Sequence, residues 1–228
     1  PVDEDQRAAV AHACQLGMEV KMPMLIDAID NRIDEKYIAE PTRYYVIASD
    51  GTLVFNHTDS GYDLGTDISG DGTIFHKAGE TILSGDSSGF LGETRVYGGT
   101  LHVSGSLGGS TGVIGTSPGS SGTVTVEGSG SRWTNSGGFF VGHEGTGTLH
   151  ISDGGAVSAS VVTVARFASS TGTINIGAAS GEAAVAAGTL NSPIVLFGDG
   201  DGTLVFNHTA SGHEFGADVS GDGQILQE

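Results

Sequence analysis

Few side chains in this sequence have the identity and spacing that chemistry demands, and each has a plainer role beside it. Cys14 is the single thiol among 228 residues. A nucleophilic or redox cysteine needs its pKa lowered by a helix N-terminus or a basic neighbour. Cys14 instead lies midway along an apolar helical pattern, the place of a buried structural thiol. One cysteine also excludes an internal disulfide and any multi-cysteine zinc site. His57 and His208 recur in the same phrase, Asn-His-Thr, and repetition points to shaping a coil ahead of a paired metal site. The phrase is also a formal glycosylation acceptor. Asp71, Asp199, Asp201 and Asp222 each stand between two glycines. They offer carboxylates to Ca²⁺, but the glycine-rich nonapeptide of calcium rolls is absent and Asp-Gly is a common turn dipeptide. Trp133, Phe139 and Phe140 suit a flat carbohydrate platform or, more simply, core and corner packing. A polysaccharide hydrolase needs converging carboxylates, a lyase a base near Arg or Lys, and neither set stands out. The expectation is no catalytic, cofactor-binding or metal-binding residues, and no cofactor.

Composition divides the chain in two. Of 39 glycines, 38 follow residue 50, whereas Cys14, Met18, Met22 and Met24 all precede it. Residues 51–228 carry only Lys77, Arg95, Arg132 and Arg166 as basic groups against 17 of the 27 Asp and Glu. Such a surface repels phosphate backbones, which excludes nucleic acid as a partner. It also lacks the basic patch that holds proteins to anionic membranes. No apolar run is long enough to insert into a bilayer, and a chain opening on Pro1 is expected to be a piece of a longer protein.

A Gly-Thr-apolar unit recurs at Gly51, Gly72, Gly99, Gly122, Gly147, Gly172, Gly188 and Gly202. Spacing near 20–25 residues, with one strand at a fixed place in each copy, predicts a solenoid. Within each unit the pattern has period two: Leu149 and Ile151 share a face that His150 does not. A longer phrase, Gly51 to Ile74, aligns without gaps on Gly202 to Ile225, an offset of 151 residues, and predicts the same coil geometry twice. A single coil cannot bury its apolar face, but coils stacked about 4.8 Å apart can. The fold class expected is mainly β: a parallel β-helix over 51–228 with seven or eight coils. A glycine-rich β-sandwich, with antiparallel hairpins, is the competing architecture.

Segments such as GTVTVEGSGSRWTNSGGFFVG (Gly122–Gly142), GTGTLHISDGGAVSA (Gly145–Ala159) and GETILSGDSSGFLGETRVYGGTLHVSGSL (Gly79–Leu107) resemble the passenger repeats of bacterial autotransporters, the type V secreted surface proteins. The resemblance covers about residues 51–228. It implies a right-handed β-helix, non-enzymatic, displayed at the cell surface or secreted through the outer membrane. The partner it implies is a host surface or another cell, met through adhesion. Ser104–Ser120 is a candidate contact loop.

Residues 1–50 have another grammar. Residues 4–18 predict an amphipathic helix, Met24–Ile26 a strand, Asn31 the cap of a second helix through Ala39, and Tyr44–Ile47 a strand that forms a hairpin with Thr52–Phe55 across Ser49-Asp50-Gly51. MPMLIDAIDNRIDEKYIAEPTRYYVIASDGTLVF resembles the C-terminal half of thioredoxin-fold proteins, closest to the iodothyronine deiodinase-like branch, over about residues 1–53. That resemblance puts Pro41 at the cis-proline position and implies, as the alternative function, a truncated and inactive redox or deiodinase-like enzyme: the stretch that carries the family's nucleophile has no counterpart here. In the solenoid reading, residues 1–50 form a short α/β cap over the first coil.

Overall fold

The computed structural model describes residues 44–47 and 51–228. The helices expected over 4–18 and 31–39, the strand at Met24–Ile26, Cys14 and Pro41 lie outside the described residues. No helix occurs among the described residues. The chain is a parallel β-solenoid of about seven turns with three faces.

The first face holds nine strands: Tyr44–Ile47 (β1), Thr52–Asn56 (β2), Thr73–Ala78 (β4), Glu93–Val96 (β7), Thr111–Ile114 (β10), Gly138–Val141 (β13), Val161–Val164 (β16), Ile194–Phe197 (β19) and Asp218–Ser220 (β21). The second holds eight: Tyr62–Leu64 (β3), Glu80–Leu83 (β5), Gly98–Val103 (β8), Ser121–Glu127 (β11), Thr146–Ser152 (β14), Thr171–Gly177 (β17), Asp201–Asn207 (β20) and Gln224–Gln227 (β22). The third is shorter: Asp86–Ser87 (β6), Ser106–Gly109 (β9), Arg132–Asn135 (β12), Ala156–Ser158 (β15) and Thr189–Asn191 (β18). Among the described residues every ladder is parallel except one. β1 runs antiparallel to β2, with Tyr45 opposite Phe55, which is the hairpin expected from the sequence.

Period-two patterning sets the core. On the second face Leu101, Val124, Leu149, Ile174 and Leu204 stack in one inward row, each fully buried. The next inward row continues Val103, Val126, Ile151 and Ile176. Trp133 enters from the third face and meets Phe139 of the first edge-on, ring centroids 4.7 Å apart. Each rung contributes a few aliphatic side chains that no rung could shelter alone.

The Gly-Thr-apolar unit does not keep a fixed place. Gly99, Gly122, Gly147, Gly172 and Gly202 are in register on the second face. Thr52 and Thr73 pair on the first face, and Thr189 starts a strand of the third. The 14- and 16-residue intervals around Gly188 are therefore one long turn crossed by a third-face strand. The two long phrases are likewise displaced. Each pairs its opening with the residue 21 positions later, Thr52 with Thr73 and Thr203 with Gln224. Locally the coil is the same, but the first copy starts on the first face and the second on the second. An offset of 151 residues is not a whole number of turns, so the second copy is rotated by one face.

Candidate functional site

Two clusters of polar and aromatic side chains rise above the repeating pattern, one inside the rod and one on its surface.

The inner cluster is built where the first face turns into the second. The inward row Phe55, His76, Val96, Ile114, Val141, Val164 is aliphatic or aromatic except at His76, which is fully buried. Thr81, on the neighbouring β5, is also buried, and its Oγ1 lies 3.1 Å from His76 Nε2 and 2.8 Å from His57 Nε2. His76 Nδ1 is 2.8 Å from the Gly98 carbonyl oxygen. A carbonyl only accepts, so His76 Nδ1–H donates to it and Nε2 of the neutral ring accepts from the Thr81 hydroxyl. Thr81 Oγ1 then accepts from His57 Nε2–H. The order of donors is thus fixed from His57 through Thr81 and His76 to Gly98, and it ties three successive turns together. Asp59 stands 3.9 Å from His57 Nδ1, and the Tyr62 ring packs edge-on against His57.

Burial lowers the His76 pKa to about 4, helped by the nearby His57 and opposed by the Gly98 carbonyl. In the unfolded chain this ring titrates near 6.5. As pH falls below 6.5 the unfolded state takes up a proton that the folded state refuses, so stability drops until the folded ring also titrates near 4. We expect urea titrations between pH 7 and pH 4 to show a loss of about 3 kcal/mol from this group. His76→Gln should flatten that part of the profile. An unchanged slope in the variant would show that other groups set it.

The surface cluster lies on the outer side of the first face. Outward positions in register there include Phe75, Arg95, Val113 and Phe140. The Arg166 guanidinium carbon sits 5.0 Å from the Phe140 ring centre and 5.1 Å from that of Phe167. Its Nη1 donates to His143 Nε2 at 2.8 Å. His143 in turn packs edge-on against both rings. Desolvation first, and Arg166 second, lower the His143 pKa, which keeps its Nε2 available as acceptor. Further along the same face Phe75 and Tyr97 meet at 5.9 Å and, with Lys77, line a shallow hollow of about 350 Å³. Arg95 is held by Glu93 at 2.8 Å. Three of the solenoid's four basic side chains therefore flank its aromatic surface, on a chain of net charge −18.

The comparisons with known proteins are sparse. The chain is similar to the protein named "Uncharacterized lipoprotein YdeK" of Escherichia coli (strain K12), at 40% identity over 98 residues. The match takes in 39% of this chain and 7% of that relative, so the chain spans a small part of the relative's length. No family model matches, and no solved structure does.

The candidates singled out by sequence fall as follows. Trp133 and Phe139 are fully buried in the core, so neither serves a sugar platform; Phe140 alone faces outward, under Arg166. Asp71, Asp199, Asp201 and Asp222 are exposed at corners between strands or at a strand start. Among the described residues no three His, Cys, Asp or Glu side chains gather to hold a metal ion. Ser104–Ser120 is not a single loop: it contains two strands, β9 and β10, with turns around them. His57 is buried and bonds the Thr81 hydroxyl. Sequence reasoning missed His76, Thr81, Arg166 and His143. Basic residues adjacent to Phe and Tyr in an otherwise acidic chain were the available signal for the surface stripe. No described helix is long and apolar enough to cross a membrane.

Proposed function

We propose that this chain is a non-enzymatic segment of a bacterial surface rod of the autotransporter passenger kind, acting as a stiff spacer and adhesive shaft. The observation that carries the proposal is the unbroken ladder on two faces from β2 to β22, which makes stiffness the chain's dominant physical property. The sequence phrases that resemble passenger repeats support it. So does similarity to a protein named as a lipoprotein, a class anchored in membranes. Contact with another surface is made by the outer side of the first face, where Phe140, Arg166 and Phe167 present ring faces and a cation on an acidic rod.

Accessibility tests the location. In cells expressing the full-length parent protein, antibody against residues 51–228 should label intact cells as strongly as permeabilised ones. Labelling that requires permeabilisation overturns surface display. For the contact face, the double variant Phe140→Ser/Arg166→Ser should reduce adherence of displaying cells about tenfold, the order expected for losing 1–2 kcal/mol at one contact. Unchanged adherence moves the contact elsewhere.

A further inference from the structure

The two copies of the long phrase place corresponding residues in corresponding pockets, but only the first pocket is filled. Phe55, His57, Tyr62, Leu64 and His76 of the first copy align with Phe206, His208, His213, Phe215 and Gln227 of the second. In the first copy β5 lies against them. Tyr62, Asp63 and Leu64 pair with Thr81, Ile82 and Leu83, and the Thr81 hydroxyl joins His57 to His76. In the second copy Phe206, His208, His213, Phe215 and Gln227 border an open hollow of about 440 Å³. His213–Phe215, the counterpart of strand β3, has no ladder partner among the described residues and is not a strand. The His208 and His213 imidazoles lie 4.8 Å apart.

We propose that this hollow is a docking place for one further rung of parallel β-chain, continuous with β22 and carrying a hydroxyl residue two positions before an aliphatic one, as Thr81 precedes Leu83. The hydroxyl bonds Nε2 of His208, as the Thr81 hydroxyl bonds Nε2 of His57, and the aliphatic side chain covers Phe215. The hollow adjoins the established β20–β22 ladder, so the incoming rung extends an existing interface instead of founding one. Its register is fixed by His213 and Phe215 through the same pairing that aligns Tyr62 with Thr81 and Leu64 with Leu83. A one-residue slip would turn the hydroxyl out to solvent and lose the bond to His208. This specificity does not depend on where the rod is displayed.

The test is an extension of the chain. A copy of residues 78–97 is appended after Glu228, and a second extension carries Val in place of the copied Thr81. The first extension should raise the melting temperature by about 5 °C and slow solvent exchange of the His208 ring proton in NMR by at least about tenfold. The Val version should keep part of the melting gain but none of the histidine protection. Three results overturn the proposal: an extension that leaves melting and the His208 and His213 signals unchanged, equal histidine protection with Thr and Val, or a gain that appears only with concentration-dependent dimers.

Discussion

Gly172→Ala is expected to cost about 4 kcal/mol and lower the melting temperature by about 10 °C, measured by circular dichroism. Gly172 stands at the corner between the first and second faces, stacked between Gly147 and Gly202. A Cβ placed there would lie 2.2 Å from the Val141 carbonyl oxygen and 2.6 Å from the Ala165 amide nitrogen. Both obstacles are backbone, and the Ala165 N–H donates to the Val141 carbonyl across rungs at 2.9 Å, so neither shifts without breaking that bond. No side-chain rotation relieves the clash. Gly119→Ala is the control. Its φ is +78° and nothing lies within 4 Å of an added Cβ, so only the left-handed backbone penalty of about 1–2 kcal/mol applies. Equal losses at the two positions would show that close approach of rungs is not what selects glycine at the corner.

Trp133→Ala should destabilise by about 3–5 kcal/mol, and Trp133→Phe by markedly less. The indole is fully buried and has Leu107 and Val157 as its ladder neighbours. Gly112 makes room for it: a Cβ there would come within 3.0 Å of the indole and 2.6 Å of the Phe139 ring. The indole Nε1 has no hydrogen-bond partner, so Phe sacrifices volume but no polar contact. Because each rung is supported only by its neighbours, a cavity at β12 weakens coupling between the two halves of the rod as well as total stability. A second transition in the melting curve of Trp133→Ala is the expected sign. A loss below about 1 kcal/mol would contradict the packing described.

Much of the architecture was legible because the repeating unit carries its own geometry. Alternation at Leu149, His150 and Ile151 gave the face of each strand, and the hairpin of β1 with β2 followed from two β-branched and aromatic runs around Asp50-Gly51. What failed was the assumption that one phrase occupies one face. The first and second faces make almost the same demands on a strand, so Gly51-Thr52-Leu53 fits one and Gly202-Thr203-Leu204 the other. The third face was unread because its strands are short: Arg132–Asn135 and Ala156–Ser158 carry one buried apolar residue each, Trp133 and Val157. The inner cluster was hidden for another reason. His76 sits at a position whose neighbours above and below are Phe55 and Val96, and only the turn-to-turn register reveals that a histidine replaces an aliphatic side chain. Arg166 meets Phe140 across 26 residues of sequence, a distance that means adjacency only once the length of the intervening turn is known.

That turn length varies along the rod, from 18 residues between Glu93 and Thr111 to 33 between Val162 and Val195, while the ladders stay continuous. The hydrogen bonds between rungs run along the long axis, so a pull on the two ends loads every bond of one interface together. Extra residues at a corner hang outside that load path. A shaft made this way can acquire or shed decoration at its edges over evolutionary time while the force it bears under flow stays the same.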